Sequence, residues 1–150
     1  MTRLRVWRIW KKLKCLAVSA AYEDRATGDR VNDFCERLSR DLGQHCEISR
    51  GMWPESQLRL PQLSSIAADE VARADLIIIS VHPAESLSDE MKGWVDQWLK
   101  RKDRRAAVLL ALFDPVARGP SSSIAAYLQE VAKRGSMEFM AQSQETSEDP

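Results

Sequence analysis

The hydrophobic pattern along the chain alternates between short apolar runs and stripes of helical period. Leu16 to Ala21 is small and apolar around Val18 and stops at Glu23, Asp24 and Arg25, which predicts a buried first strand. From Thr27 the period changes. Val31, Phe34, Cys35, Leu38 and Leu42 share one helical face, with Thr27 or Asp29 as the expected cap and Gly43 as the expected stop. Cys46 to Ile48 predicts a short second strand, and the stretch from Arg50 to Leu63, holding Pro54 and Pro61, predicts an irregular connection. Ser64 or Ser65 is then positioned to cap a helix through Ile66, Ala67, Val71 and Ala74.

The second half of the chain repeats the alternation with stronger signals. Leu76 to Val81 is a continuous, largely β-branched run, as expected of a strand covered on both faces. Ser88 caps a helix whose first turn holds Asp89 and Glu90, whose apolar stripe is Met91, Trp94, Val95, Trp98 and Leu99, and which ends on Lys100, Arg101 and Lys102. Ala106 to Phe113 is a second fully apolar run, stopped by Asp114 and Pro115. A loop from Gly119 to Ser123 leads to a helix with Ile124, Tyr127, Leu128 and Val131 inward, closed by Gly135, and Met137 to Met140 predicts an edge strand. Strands alternating with helices of these lengths predict an α/β fold with right-handed crossovers. The expected architecture is a three-layer, doubly wound parallel sheet of five strands in the order 2-1-3-4-5, of the flavodoxin-like kind.

Composition changes this picture little. At 150 residues, 44% hydrophobic and 29% charged, the chain has the size and balance of one globular domain. The formal net charge of +0 conceals a polarity, with Arg3, Arg5, Arg8, Lys11, Lys12 and Lys14 at one end and Glu145, Glu148 and Asp149 at the other. The expected organisation is a basic N-terminal extension over 1–14, the domain over 15–141 and an acidic, disordered tail over 142–150. Cys15, Cys35 and Cys46 are odd in number and lack metal-ligand spacing, so they read as buried thiols of a reducing compartment. No apolar run approaches the roughly 20 residues that span a bilayer, and a cytoplasmic location is expected.

In open α/β sheets ligands bind beyond the carboxyl ends of the strands, near the switch in strand order. Here that edge collects Arg25, Thr27, Gly28, Trp53, His82, Pro83 and Arg118, together with the carboxylates Glu23, Asp24, Glu85 and Asp114. The carboxylates outnumber the cations, which is a poor setting for an anionic cofactor. His82 is the residue there whose charge changes near neutral pH, and a partner among Glu23, Asp24 and Asp114 would make it a general base or metal ligand. His45 falls at the opposite strand end. No acyl-transfer or nucleotide-binding signature occurs.

Two segments carry a family resemblance. Ala74-Asp75, the strand to Val81, His82-Pro83 and then Met91-Lys92-Gly93-Trp94-Val95-Asp96 resemble the third βα unit of NAD(P)H-dependent FMN reductases and their flavodoxin-like relatives. Pro83, Met91, Lys92, Val95 and Asp96 match that pattern, whereas Ala84 and Glu85 stand where the family has residues against the flavin ring. Arg25-Ala26-Thr27-Gly28-Asp29-Arg30 resembles the flavodoxin phosphate loop, in which backbone amides and hydroxyls cradle a phosphate. Thr27 and Gly28 match, and Arg25 and Arg30 occupy two hydroxyl positions. The resemblance implies an FMN lying across the loops after strands one and three, with Arg25 and Thr27 on phosphate and Trp53 against the ring. Receiver domains of response regulators and TIR domains are similar in topology, but the chain has Val81-His82 where the former have a phosphoacceptor aspartate, and Trp98 where enzymatic members of the latter have glutamate.

At the N-terminus Val6, Ile9, Trp10 and Leu13 share a helical face, with Arg5, Arg8 and Lys12 elsewhere. That pattern fits three uses: contact with an anionic membrane, contact with a nucleic-acid backbone, or aromatics packed on the domain itself. The edge strand near Met137 and the tryptophans Trp94 and Trp98 permit a homodimer. Two functions follow from the whole pattern. One is a non-catalytic binding or regulatory module for an unspecified small-molecule or protein partner. The other is an FMN-dependent NAD(P)H oxidoreductase.

Overall fold

The structure, a computed structural model, describes residues 10, 12–43, 46–103, 106–113 and 120–143. His45, most of the basic arm, the loop from Asp114 to Gly119 and the tail over 144–150 lie outside the described residues. The elements are β1 (Cys15–Tyr22), α1 (Arg25–Leu42), β2 (Glu47–Pro54), α2 (Glu55–Leu58), α3 (Pro61–Ala72), β3 (Leu76–Ser80), α4 (Asp89–Arg101), β4 (Val108–Phe113), α5 (Pro120–Arg134) and β5 (Glu138–Ser143). All strand pairs are parallel and the order is β2-β1-β3-β4-β5, as the alternation of runs and stripes predicts.

The period-two rule of a strand separates the two faces of this sheet cleanly. Leu16, Val18 and Ala20 of β1, Leu76 and Ile78 of β3, and Val108, Leu110 and Leu112 of β4 form one core with Val31, Cys35, Leu38 and Leu42 of α1. The alternate residues Ala21, Ile77, Ile79, Leu109, Ala111 and Phe113 form the other core with α3, α4 and α5. Because β3 and β4 are buried along their whole length, their sequences carry no polar alternation.

Three elements depart from expectation. β2 runs on to Pro54 in full register with β1, and a short helix and then α3 occupy what reads as an irregular stretch. As an edge strand exposed along much of its length, β2 lacks the apolar continuity that marks β3. α3 starts with Pro61 at its first turn, where a missing N–H is harmless, and neither Ser64 nor Ser65 caps it. β5 extends through Gln142 and Ser143, two positions read as tail. Among the cysteines, Cys35 and Cys46 are buried as expected but Cys15, at the start of β1, is exposed. Trp94 and Trp98 are both core residues on α4, so they offer no surface to a second copy of the chain.

Candidate functional site

The crossover after β1 leaves toward α1 and the crossover after β3 leaves toward the opposite face, so a crevice opens between these neighbours at their carboxyl ends. Chain segments 22–28 and 80–83 line it. Asp24 is the N-cap of α1, not Thr27 or Asp29, and its Oδ1 accepts from the Thr27 N–H at 3.0 Å. Thr27 sits at the third helical position and completes a capping box: its Oγ1 accepts the Glu23 and Asp24 N–H groups, both at 2.9 Å. The Thr27 O–H in turn lies between the Asp24 carbonyl oxygen (3.0 Å) and Oδ1 (3.1 Å). The Asp24-x-x-Thr27 spacing was the sequence signal for this cap.

Gly28 is buried beneath the Tyr22 ring, and a Cβ there would lie 3.0 Å from Tyr22 Cδ2 and Cε2. This close approach accounts for the glycine without any ligand. Arg25 is exposed in the first turn of α1 and Pro83 is exposed after β3. Trp53 points to the other face, where it packs against the α3–α5 core, and its indole N–H donates to Glu70 Oε2 at 3.1 Å. The same carboxylate oxygen accepts from buried Ser19 at 2.6 Å. Of the seven residues singled out in the sequence, the crevice brings together Thr27, Gly28 and His82, with Arg25 and Pro83 on its rim and Trp53 turned away, and Arg118 lies outside the described residues.

His82 is the centre of the cluster. Its backbone N–H donates to Glu23 Oε1 at 2.9 Å, and its Nε2 lies 2.8 Å from Asp24 Oδ2. The pair is solvent-facing, with side chains 37% and 53% exposed. Ser80 at the end of β3 donates to the Thr27 carbonyl oxygen at 2.8 Å, a buried bond that ties the strand to the first turn of α1. Burial pushes the Glu23 carboxyl above its ordinary value, against the His82 N–H that lowers it, with Glu55 adding a further rise. The Thr27 N–H, and then the His82 side chain, hold Asp24 below the usual carboxylate range.

These shifts act in opposite directions on stability. Asp24 is lowered in the folded state, so its contribution is present above the ordinary carboxylate range and is lost as pH falls through the lowered value. Glu23 is raised, so its contribution is present below the ordinary range and is lost as pH rises through the raised value. Asp24→Ala is therefore expected to cost about 0.5–2 kcal/mol at neutral pH, mostly as a lost cap, and to flatten the acid limb of the stability profile. Glu23→Gln, which keeps an acceptor for His82, should match the wild type in acid and exceed it at neutral pH. Urea unfolding of the three proteins across the acid-to-neutral range checks both.

Among the described residues the arrangement presents no activated nucleophile. Among the described residues the hydroxyls nearest the crevice, Ser80 and Thr27, are committed to backbone oxygens, and no group of three or more metal-binding side chains occurs. Burial pushes the Cys35 and Cys46 thiols up, away from the reactive thiolate form. No helix among the described residues is long and apolar enough to cross a membrane.

No protein-family model matches the chain, and none of the curated proteins matches it. Among solved structures, the crystal structure of Smu.1420 from Streptococcus mutans UA159 is similar at a TM-score of 0.48 and 10% sequence identity, covering 86% of this chain and 88% of that one. At that distance nothing about ligand or activity passes from one chain to the other. The class that the sheet order itself defines is the flavodoxin-like, doubly wound α/β fold.

Proposed function

We propose that this chain is a non-catalytic flavodoxin-like binding or regulatory module of the cytoplasm, whose partner meets the β1/β3 crevice and is not a flavin phosphate. The observation that carries this reading is the state of the α1 N-terminus. The Thr27 N–H and hydroxyl, which the phosphate-loop resemblance would offer to an anion, are engaged by Asp24, and the Tyr22 ring covers Gly28. Glu23 and Asp24 add negative charge where a phosphate would need the reverse. A neutral or cationic group suits this edge better. The alternative, an FMN-dependent NAD(P)H oxidoreductase, rests on Thr27-Gly28, whose donors Asp24 engages, and on Pro83 with the α4 residues Met91 to Asp96, which are scaffold positions, while Trp53 is engaged by Glu70 on the opposite face.

The test is direct. Purified protein is expected to be colourless, and added FMN should leave its melting temperature and tryptophan emission unchanged. A ligand at a hundred times its Kd adds about 2.7 kcal/mol of stability, which for a domain of this size is a rise of roughly 5–10 °C. A rise of that order, or a yellow protein that retains flavin through purification, would establish the oxidoreductase reading in its place.

A further inference from the structure

Among the described glycines, Gly28 and Gly51 are explained by what a Cβ would meet, the Tyr22 ring and the Glu70 carboxylate, and Gly43 by a positive φ. Gly93 has neither reason. It stands inside α4 with ordinary helical backbone, and a Cβ there would meet nothing within 4 Å among the described residues. An exposed glycine inside a helix weakens it relative to alanine, and nothing described in this chain offsets that loss. Asp89, Gly93, Asp96 and Lys100, spaced i, i+4, i+7 and i+11, form one exposed stripe opposite the buried Met91, Trp94, Val95 and Trp98. Asp96 is 62% exposed and reaches Arg134 only at 3.9 Å.

We propose that this stripe is the contact for a second copy of the chain, packed antiparallel about a two-fold axis that passes midway between Gly93 and Asp96. The order of charges carries the choice of partner. About that axis Asp89 faces Lys100 of the partner subunit and Lys100 faces Asp89 of the partner subunit, so one contact makes two opposite-charge pairs. The acidic first turn, Asp89 and Glu90, comes beside the basic last turn, Lys100 and Arg101, which sets opposite helix-dipole ends together. Asp96 of the partner subunit falls over Gly93, where any side chain would stand between the helices. The bare backbone lets the two axes approach to the short end of the usual range of about 8–10 Å. A contact centred on one helix pair is small, so the dimer is reversible and depends on concentration. No residue of the β1/β3 crevice takes part, and the assignment is independent of what binds there.

Sedimentation velocity of the full chain across a dilution series reads the association. The wild type is expected to pass from monomer to dimer as its concentration rises through the micromolar range. Gly93→Gln introduces a good helix former that has no room in the contact. It should stay monomeric, while its urea midpoint, measured dilute, rises above that of the wild type. Asp89→Lys and Lys100→Asp each set like charges face to face and should weaken dimerisation about tenfold or more. Making both exchanges together should restore it. A wild-type chain that is monomeric throughout the series, as a solvated face or one that meets a different partner would give, overturns the proposal. So does a Gly93→Gln dimer of wild-type affinity, or a double exchange that dimerises no better than the single variants.

Discussion

Trp98→Ala is expected to be among the most damaging single substitutions in this protein, costing about 3–5 kcal/mol. Domains of this kind have only about 5–15 kcal/mol of net stability, so the variant should sit near the edge of folding. Trp98 is fully buried between α3, α4 and the sheet, and its ring meets Trp94 edge to face, with centroids 6.1 Å apart and planes at 71°. Truncation to Ala removes one of the two buried tryptophans of that core and strands its partner ring beside a cavity. Neither indole N–H has an acceptor among the described residues. A buried donor without an acceptor costs about 1–3 kcal/mol, so Trp98→Phe removes a penalty along with some volume and should cost less than half as much as Trp98→Ala. Urea midpoints of the two variants check this, and equal losses would contradict the packing described.

The second large effect is at Gly51, where the reason for glycine is a neighbouring side chain and not backbone conformation. A Cβ built there would overlap the Glu70 carboxylate, which reaches across β2 to Ser19 and Trp53. Gly51→Ala must therefore push that carboxylate aside, breaking two hydrogen bonds and leaving the buried Ser19 hydroxyl without its acceptor. A cost of about 1–3 kcal/mol is expected. Glu70→Ala forfeits the same bonds, and once it is made, Gly51→Ala has nothing left to displace. The double variant should be no less stable than Glu70→Ala alone, a strongly non-additive cycle. Additive losses would mean that Gly51 is needed for another reason.

The legibility of the fold in the sequence follows burial. β3 and β4, covered on both faces, announce themselves as unbroken apolar runs, and α1 and α4 as stripes with charged ends. β2 is an edge strand whose mixed residues read as loop, although Ala17 to Tyr22 pairs with Ser49 to Pro54 throughout. The start of α3 is easily misplaced from sequence because serines at 64 and 65 look like caps, while the proline three residues before Ser64 is the true start. Topology then locates the crevice, since strand order determines where neighbouring crossovers diverge. What fills the crevice was not legible. A Thr-Gly pair at a helix start has the same sequence whether its donors face a ligand or an aspartate, and only the fold shows that Asp24 takes them and that Tyr22 lies over Gly28. The link between Glu23, Asp24 and His82 was foreseeable only as one of several pairings, because it joins residues 58 and 59 positions apart.

In the proposed function the α1 N-terminus at the β1/β3 crevice is closed by the chain's own residues and is not a phosphate cradle. The most direct test is the amide nuclear magnetic resonance spectrum of residues 22 to 28 and His82 during titration with FMN and, separately, with inorganic phosphate. Unmoved Thr27 and Gly28 amides at millimolar ligand are the expected outcome. Saturable shifts confined to those amides would mean that the Asp24 cap opens to admit an anion, and would contradict the proposed function.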